Sequence, residues 1–207
     1  MQDIFISPLE AGLVSWVAAF PKAKISDAVK VKPNKAQKME EIVFWLHMNE
    51  DRQQWLTNSI SLIQKQYKNA KIAVLANAPN QAEALYCLSL GVVAYSHAYS
   101  PSKMLTEIKT VITNGGVWLG QDLLKRLIEV STNLAGNQAE QVEQHLSALS
   151  KREKQVAKEA AKGLSNKEIA RILNITERTV KAHLSSTFER LGVKDRLHLA
   201  LILNKKN

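Results

Sequence analysis

The 207-residue chain has a single cysteine, Cys87, so no internal disulfide, CxxC pair or cysteine-rich zinc site can form. That usage suits a reducing cytoplasm. No apolar run approaches the roughly 20 residues that a membrane-spanning helix needs; even Ala11 to Phe20 holds Ser15 and ends at Pro21. The start, Met1-Gln-Asp-Ile-Phe-Ile-Ser-Pro, lacks the basic region and long apolar stretch of a signal peptide. The expectation is a cytoplasmic protein with no membrane partner. Internal repeats, a P-loop, a dinucleotide fingerprint and a nucleophile triad are also missing, which points away from an enzyme. Neither a cofactor nor a metal site is expected.

What is there suits a globular chain that can bury real cores, with 45% hydrophobic and 23% charged residues. Its length favours two compact units. The net charge of +9 is unevenly placed: residues 1–135 carry 14 Lys+Arg against 11 Asp+Glu, residues 136–207 carry 14 against 8. A small basic domain joined to a larger near-neutral one is the electrostatic outline of a nucleic-acid reader attached to a control domain.

In the first part, short apolar runs alternate with segments of helical period, the pattern of a doubly wound parallel sheet. Strands are expected at Ile4–Ser7, Ala23–Ile25, Ile42–His47, Ile72–Ala76 and Val92–Ser96. Trp55, Leu56, Ile60, Ile63 and Tyr67 form one helical stripe, and Met104, Leu105, Ile108, Val111 and Ile112 another. Asn80 can cap a helix that Gly91 stops, Ser100-Pro101 starts the next, and Leu119 to Val130 supplies one more. The α/β unit thus spans 1–130, and a polar linker spans 131–147.

Residues 148–207 lose the strand signal and read as four helices. Ser150 caps the first, from Lys151 to Lys162, and Gly163 stops it. Ser165 with Glu168 forms a capping box for the second, which ends at Leu173. Thr176 caps the third, which ends at Gly192, and Asp195 opens the fourth through Leu203. Helices two and three, joined by a tight turn at Asn174-Ile175, make a helix-turn-helix. Val180, Leu184, Phe188 and Leu191 would face inward, while Arg178, Lys181, Ala182 and Ser185 would face out.

Leu149-Ser-Lys-Arg-Glu, Ala161-Lys-Gly163, Asn166-Lys-Glu-Ile-Ala170, Leu173-Asn-Ile-Thr176, Thr179-Val-Lys-Ala-His183 and Leu191-Gly-Val193 followed by Arg196 resemble the LuxR/NarL-type DNA-binding domain. The resemblance implies that Lys181, Ala182 and Ser185 read the major groove. By it, Asn166, Lys167, Thr176, Arg178 and Thr179 hold phosphates, and the last helix, through Arg196, Leu199 and Leu203, helps dimerisation on paired half-sites of double-stranded DNA.

An α/β unit ahead of such a domain resembles a response-regulator receiver, whose aspartate after strand three takes a phosphoryl group beside Mg²⁺. This chain departs from that pattern four times. Ser7-Pro8-Leu9 replaces the acidic pair, and His47-Met48 stands where the aspartate belongs. Asn77 replaces the hydroxyl, and His97 or Ala98 replaces the lysine. The expected reading is a degenerate receiver, controlled by a protein partner, a small ligand or abundance. Glu50 and Asp51 are alternative acceptors, His47 with His97 would make only a two-ligand metal site, and Cys87 reads as a small core residue.

Trp118-Leu-Gly-Gln121 resembles a degraded form of the W-[FLM]-[TS]-R motif by which some biofilm regulators bind cyclic di-GMP. The Gly120 and Gln121 departures remove the hydroxyl and the arginine fork, leaving Trp118 as an expected core or interface residue. Rival readings are a phosphorylated regulator with a non-standard acceptor, and a protein-binding adaptor with only nonspecific DNA contact. The strict βα alternation argues against an acyl-homoserine-lactone receptor.

Overall fold

A computed structural model describes residues 2–29, 41–48, 52–121, 123–125, 127–128, 147 and 149–203. In chain order it contains β1 (Gln2–Ile6), α1 (Val14–Ala19), β2 (Lys24–Ser26), β3 (Ile42–His47), α2 (Arg52–Gln66), β4 (Lys71–Ala76), α3 (Gln81–Ser89), β5 (Ala94–His97) and α4 (Ser102–Thr113). Four more helices follow: α5 (Lys151–Ala161), α6 (Asn166–Leu173), α7 (Glu177–Leu191) and α8 (Arg196–Leu203). The chain divides into two compact units, residues 1–79 with 90–120, and residues 80–89 with 121–207.

The first unit holds a five-stranded parallel sheet of order β2-β1-β3-β4-β5. That is the receiver-like, doubly wound arrangement expected. β3, Ile42-Val-Phe-Trp-Leu-His47, is buried at every position, as a strand covered on both faces must be. β1 starts two residues earlier than hydrophobicity suggests, because pairing sets its limits: Gln2 and Asp3 stand opposite Ile42 and Val43. Asp3 can be buried there because Trp45 Nε1 donates to Oδ1 at 3.2 Å and Lys109 Nζ donates to Oδ2 at 2.6 Å.

One face of the sheet packs Phe5 between Trp16 and Trp45, with ring centroids 4.8 and 5.6 Å away. Leu105, Ile108 and Ile112 of α4 close that core. The α2 stripe is buried at Leu56, Ile60, Ile63 and Tyr67. Each such side chain contributes about 1.5–3 kcal/mol. Trp118 extends β5 by one bridge, donating its N–H to the Val93 carbonyl at 2.9 Å and accepting from Tyr95 N–H at 3.2 Å.

In the second unit Asn80 Oδ1 accepts the Glu83 N–H at 2.8 Å and so caps α3. Cys87 is fully buried, and burial first, then the Glu83 charge, pushes its thiol well above the usual range. Asn80 also donates to the Gly163 carbonyl at 3.3 Å. Gly163 has φ +89°, and a Cβ there would stand 2.5 Å from the backbone of Glu83. Glycine therefore both ends α5 and admits α3.

The C-terminal helices begin where side chains supply backbone acceptors. Ser150 with Glu153 and Ser165 with Glu168 close two capping boxes, and Thr176 caps α7. Residues described between 121 and 128 are helical. The linker expected over 131–147 lies, apart from residue 147, outside the described residues, as do Glu50 and Asp51.

Candidate nucleic-acid interface

Helices α6 and α7 are joined by a short turn. Asn174 adopts the left-handed conformation at φ 51°, and the Ile175 N–H closes on the Ala170 carbonyl at 3.0 Å. Asparagine tolerates that conformation better than most residues. The inward side of the pair is apolar: Ile169 and Ala170 of α6 meet Val180, Leu184 and Leu191 of α7, with Leu173 and Phe188 packed against them. Ala170, the smallest of these, lets the helices cross closely.

With that side committed, the helical period turns Arg178, Lys181, Ala182 and Ser185 outward, and all four are exposed. Long cations flank short side chains on one stripe, an arrangement that can take phosphates at its margins and approach base edges in its middle. Thr176 and Lys167 are exposed, while Asn166 and Thr179 are half-buried. The Thr176 hydroxyl accepts the Thr179 N–H at 3.1 Å and lies 2.8 Å from the Thr179 hydroxyl. That pair uses one of its two hydroxyl hydrogens, leaving the other for a phosphate oxygen.

Glu153, buried beneath α7, holds this helix in place. It accepts from the Ser186 hydroxyl at 2.7 Å and from the Ser150 N–H at 2.8 Å, with Arg190 Nε 3.6 Å away. The Ser186 bond first, then the bonds to Ser150 and the charge of Arg190, lower its carboxyl to about 2. The sequence signal for this residue was the Ser150-x-x-Glu153 spacing.

At the carboxyl edge of the sheet, three residues read as departures from a receiver form one hydrogen-bonded chain. His47 Nε2 lies 2.9 Å from Asn77 Oδ1, and His47 Nδ1 lies 2.9 Å from Ser7 Oγ. With Asn77 presenting an acceptor, Nε2 carries the proton and Nδ1 accepts from the serine hydroxyl. The Leu9 N–H donates to Ser7 Oγ at 3.1 Å. Ser7 and His47 are buried, Asn77 is exposed, and no member of the chain is a carboxylate. His97 stands apart, exposed, its Nδ1 accepting the Tyr99 N–H at 3.0 Å. With both ring nitrogens of His47 engaged, the two histidines are not brought together as ligands.

Residues 147–203 match the family described as bacterial regulatory proteins, luxR family. They form a luxR-family helix-turn-helix domain. The chain is 34% identical over 143 residues to the uncharacterized transcriptional regulatory protein YhcZ of Bacillus subtilis, covering 69% of this chain and 64% of that protein. It is 32% identical over 117 residues to the glycerol metabolism activator of Pseudomonas putida, covering 56% and 53%. The chain thus spans between half and two thirds of these relatives' lengths. Over the fold, it is similar to the response regulator in the RcsB–DNA complex, with TM-score 0.52, 19% identity and 100% and 99% of the two chains covered.

Within the luxR-family domain, α8 departs from its simplest assignment. Leu199 is fully buried in the domain's own core, and Leu203 packs against it. Arg196 turns inward: Nε donates to the Ala160 carbonyl at 3.0 Å and Nη2 to the Leu164 carbonyl. Burial lowers its pKa, and the Glu168 charge opposes that. The guanidinium thereby adds a donor to the Ala160 carbonyl, which also accepts the Gly163 N–H at 2.9 Å, and meets the Leu164 carbonyl in the turn after α5. Arg196, half-buried, and Leu199, fully buried, thus both help to hold the luxR-family domain together. Outside that domain Trp118 is half-buried beside β5 and Gln121 is exposed.

Proposed function

We propose that the chain is a sequence-specific DNA-binding transcriptional regulator acting in the cytoplasm as a dimer on paired half-sites. The observation that carries this reading is the outward stripe of α7. Its cations and short side chains sit opposite an apolar seam that fixes the helix from behind. Lys181, Ala182 and Ser185 read base edges; Asn166, Lys167, Thr176, Arg178 and Thr179 hold phosphates. The charge excess of residues 136–207 favours the same partner. Dimerisation through α8 rests on whatever Leu203 and its half-buried neighbour Leu201 leave exposed.

The receiver-like unit works without phosphoryl transfer. The Ser7–His47–Asn77 chain supports this, since it contains no carboxylate and a phosphoryl group and its metal need carboxylates at that edge. A protein partner or small ligand sets its activity. The domain boundaries at 130 and 148 belong to the same proposal. Selection of full-length protein over random duplex DNA tests the whole reading: an enriched inverted repeat is expected, and a library without any enriched motif overturns it.

A further inference from the structure

The second unit contains a cavity of about 480 Å³ that shares no residue with the stripe assigned to DNA. Small-molecule pockets commonly span roughly 300–1,000 Å³. Part of its lining is apolar. Ala157 and Ala161 of α5 are buried there, and Leu149, Leu203 of α8 and the half-buried Tyr86 of α3 join them.

Three lysines complete the lining, Lys154, Lys158 and Lys162. They recur every four residues along α5 and its C-cap, so they stand in one row, about 6 Å apart along the axis. Like charges at that spacing repel, and the helix supplies little to offset them. Glu159 accepts from Lys162 Nζ with both oxygens at 3.1 Å. Glu153, the other carboxylate of α5, is taken by Ser186 and Ser150. Lys154 Nζ donates to the Ser147 carbonyl at 3.4 Å. Lys158, in the middle of the row, makes no hydrogen bond or ion pair among the described residues.

Cations without a carboxylate beside buried alanines complement a molecule that is apolar at one end and negative at the other. Lysine stems add to the apolar lining while their ammonium groups stay in water. An ammonium is a rotatable point charge and not a planar fork, so a carboxylate and a phosphate monoester suit it equally. A duplex is too wide to enter such a cavity.

We propose that this cavity binds a small amphipathic anion, its alkyl or aryl body seated on Ala157 and Ala161 and its head held by Lys158 and Lys154. The assignment gives the small ligand of the function proposed above a site, and its regulatory meaning rests on that reading. Leu203 lines the cavity and is also a residue on which dimerisation through α8 rests. An occupant should therefore weaken binding to paired half-sites.

Ligand-observed NMR titrations of the full chain without DNA test the site, using hexanoate, octanoate, octyl phosphate, octan-1-ol and octylammonium. Octanoate and octyl phosphate should bind, the tighter of the two naming the headgroup, and octylammonium should not. Octan-1-ol should bind at least about fivefold more weakly. Each methylene between hexanoate and octanoate should tighten binding about fourfold. Lys158→Gln should weaken octanoate about fivefold and leave octan-1-ol unchanged. Arg152→Gln, which removes a charge of the same helix outside the cavity, should change neither. Absence of binding, equal affinity for anion, alcohol and amine, or a Lys158→Gln protein that binds octanoate as wild type does overturns the site. DNA titrations with and without saturating octanoate then test control. Unchanged half-site affinity overturns control through Leu203 while the site stands, and a chain that binds octanoate yet enriches no DNA motif overturns the DNA reading alone.

Discussion

The hydroxyl of Ser186 on α7 donates to the buried carboxylate of Glu153 on α5 at 2.7 Å. One residue thus caps α5 and ties down the helix that carries the outward cations. Phosphate and base contacts need a helix held at a fixed rotation, and this directional bond adds to the apolar seam in fixing it.

The bond makes the C-terminal domain acid-sensitive. Glu153 titrates at about 2 when folded against an ordinary 4.5, so its contribution is fully present above 4.5 and disappears as pH falls toward 2. Far-UV circular dichroism of the full chain between these values should show helix loss for wild type. Glu153→Gln should be less stable near neutral pH and show a flatter acid profile.

Gly163→Ala meets two obstacles, the left-handed backbone at φ +89° and the Glu83 backbone 2.5 Å from the new carbon. The expected cost is about 1–3 kcal/mol, read as a lower midpoint in chemical denaturation. Gly192→Ala shares the positive φ but has nothing within 4 Å of the added carbon, and should cost less.

The two exposed cations of α7 should behave differently on DNA. Arg178→Ala is expected to weaken binding similarly on all sequences and to reduce the slope of log affinity against log salt by about 0.9. Lys181→Ala should cost about 1–3 kcal/mol on a guanine-containing site and much less on a site lacking that guanine. Fluorescence anisotropy at several salt concentrations separates the two.

At the sheet edge, full-length protein incubated with acetyl phosphate and Mg²⁺ should gain no phosphoryl mass by intact mass spectrometry. Asn77→Ala removes the partner of His47 Nε2, 2.9 Å away, at an exposed position where water can replace it. The loss should be at most about 0.5–1.5 kcal/mol, seen in the denaturation of the receiver-like unit.

The fold was legible where the signal is local. Ser165 and Glu168 announce a capping box three residues apart, and the structure closes it. The run Ile42–His47 reads as a doubly covered strand and is one. Strand ends were less legible, since β5 begins at Ala94 where pairing with Ala73 starts, two residues past the apolar Val92. The Ser7–His47–Asn77 chain was illegible as a unit, because its members are 40 and 30 residues apart and only the parallel sheet brings them to one edge. Taken singly, each looked like a loss. The Arg196 contacts were equally illegible, because the Ala160 and Leu164 carbonyls that its guanidinium meets lie 36 and 32 residues away.

The most direct test of the account is methylation interference on a selected half-site, because methyl groups on guanine N7 project into the major groove where Lys181 would lie. Wild-type protein should be blocked by methylation of one guanine per half-site, and Lys181→Ala should be indifferent to that same methyl group. Identical interference patterns for the two proteins, or no interference from any guanine, would contradict the placement of α7 in the groove.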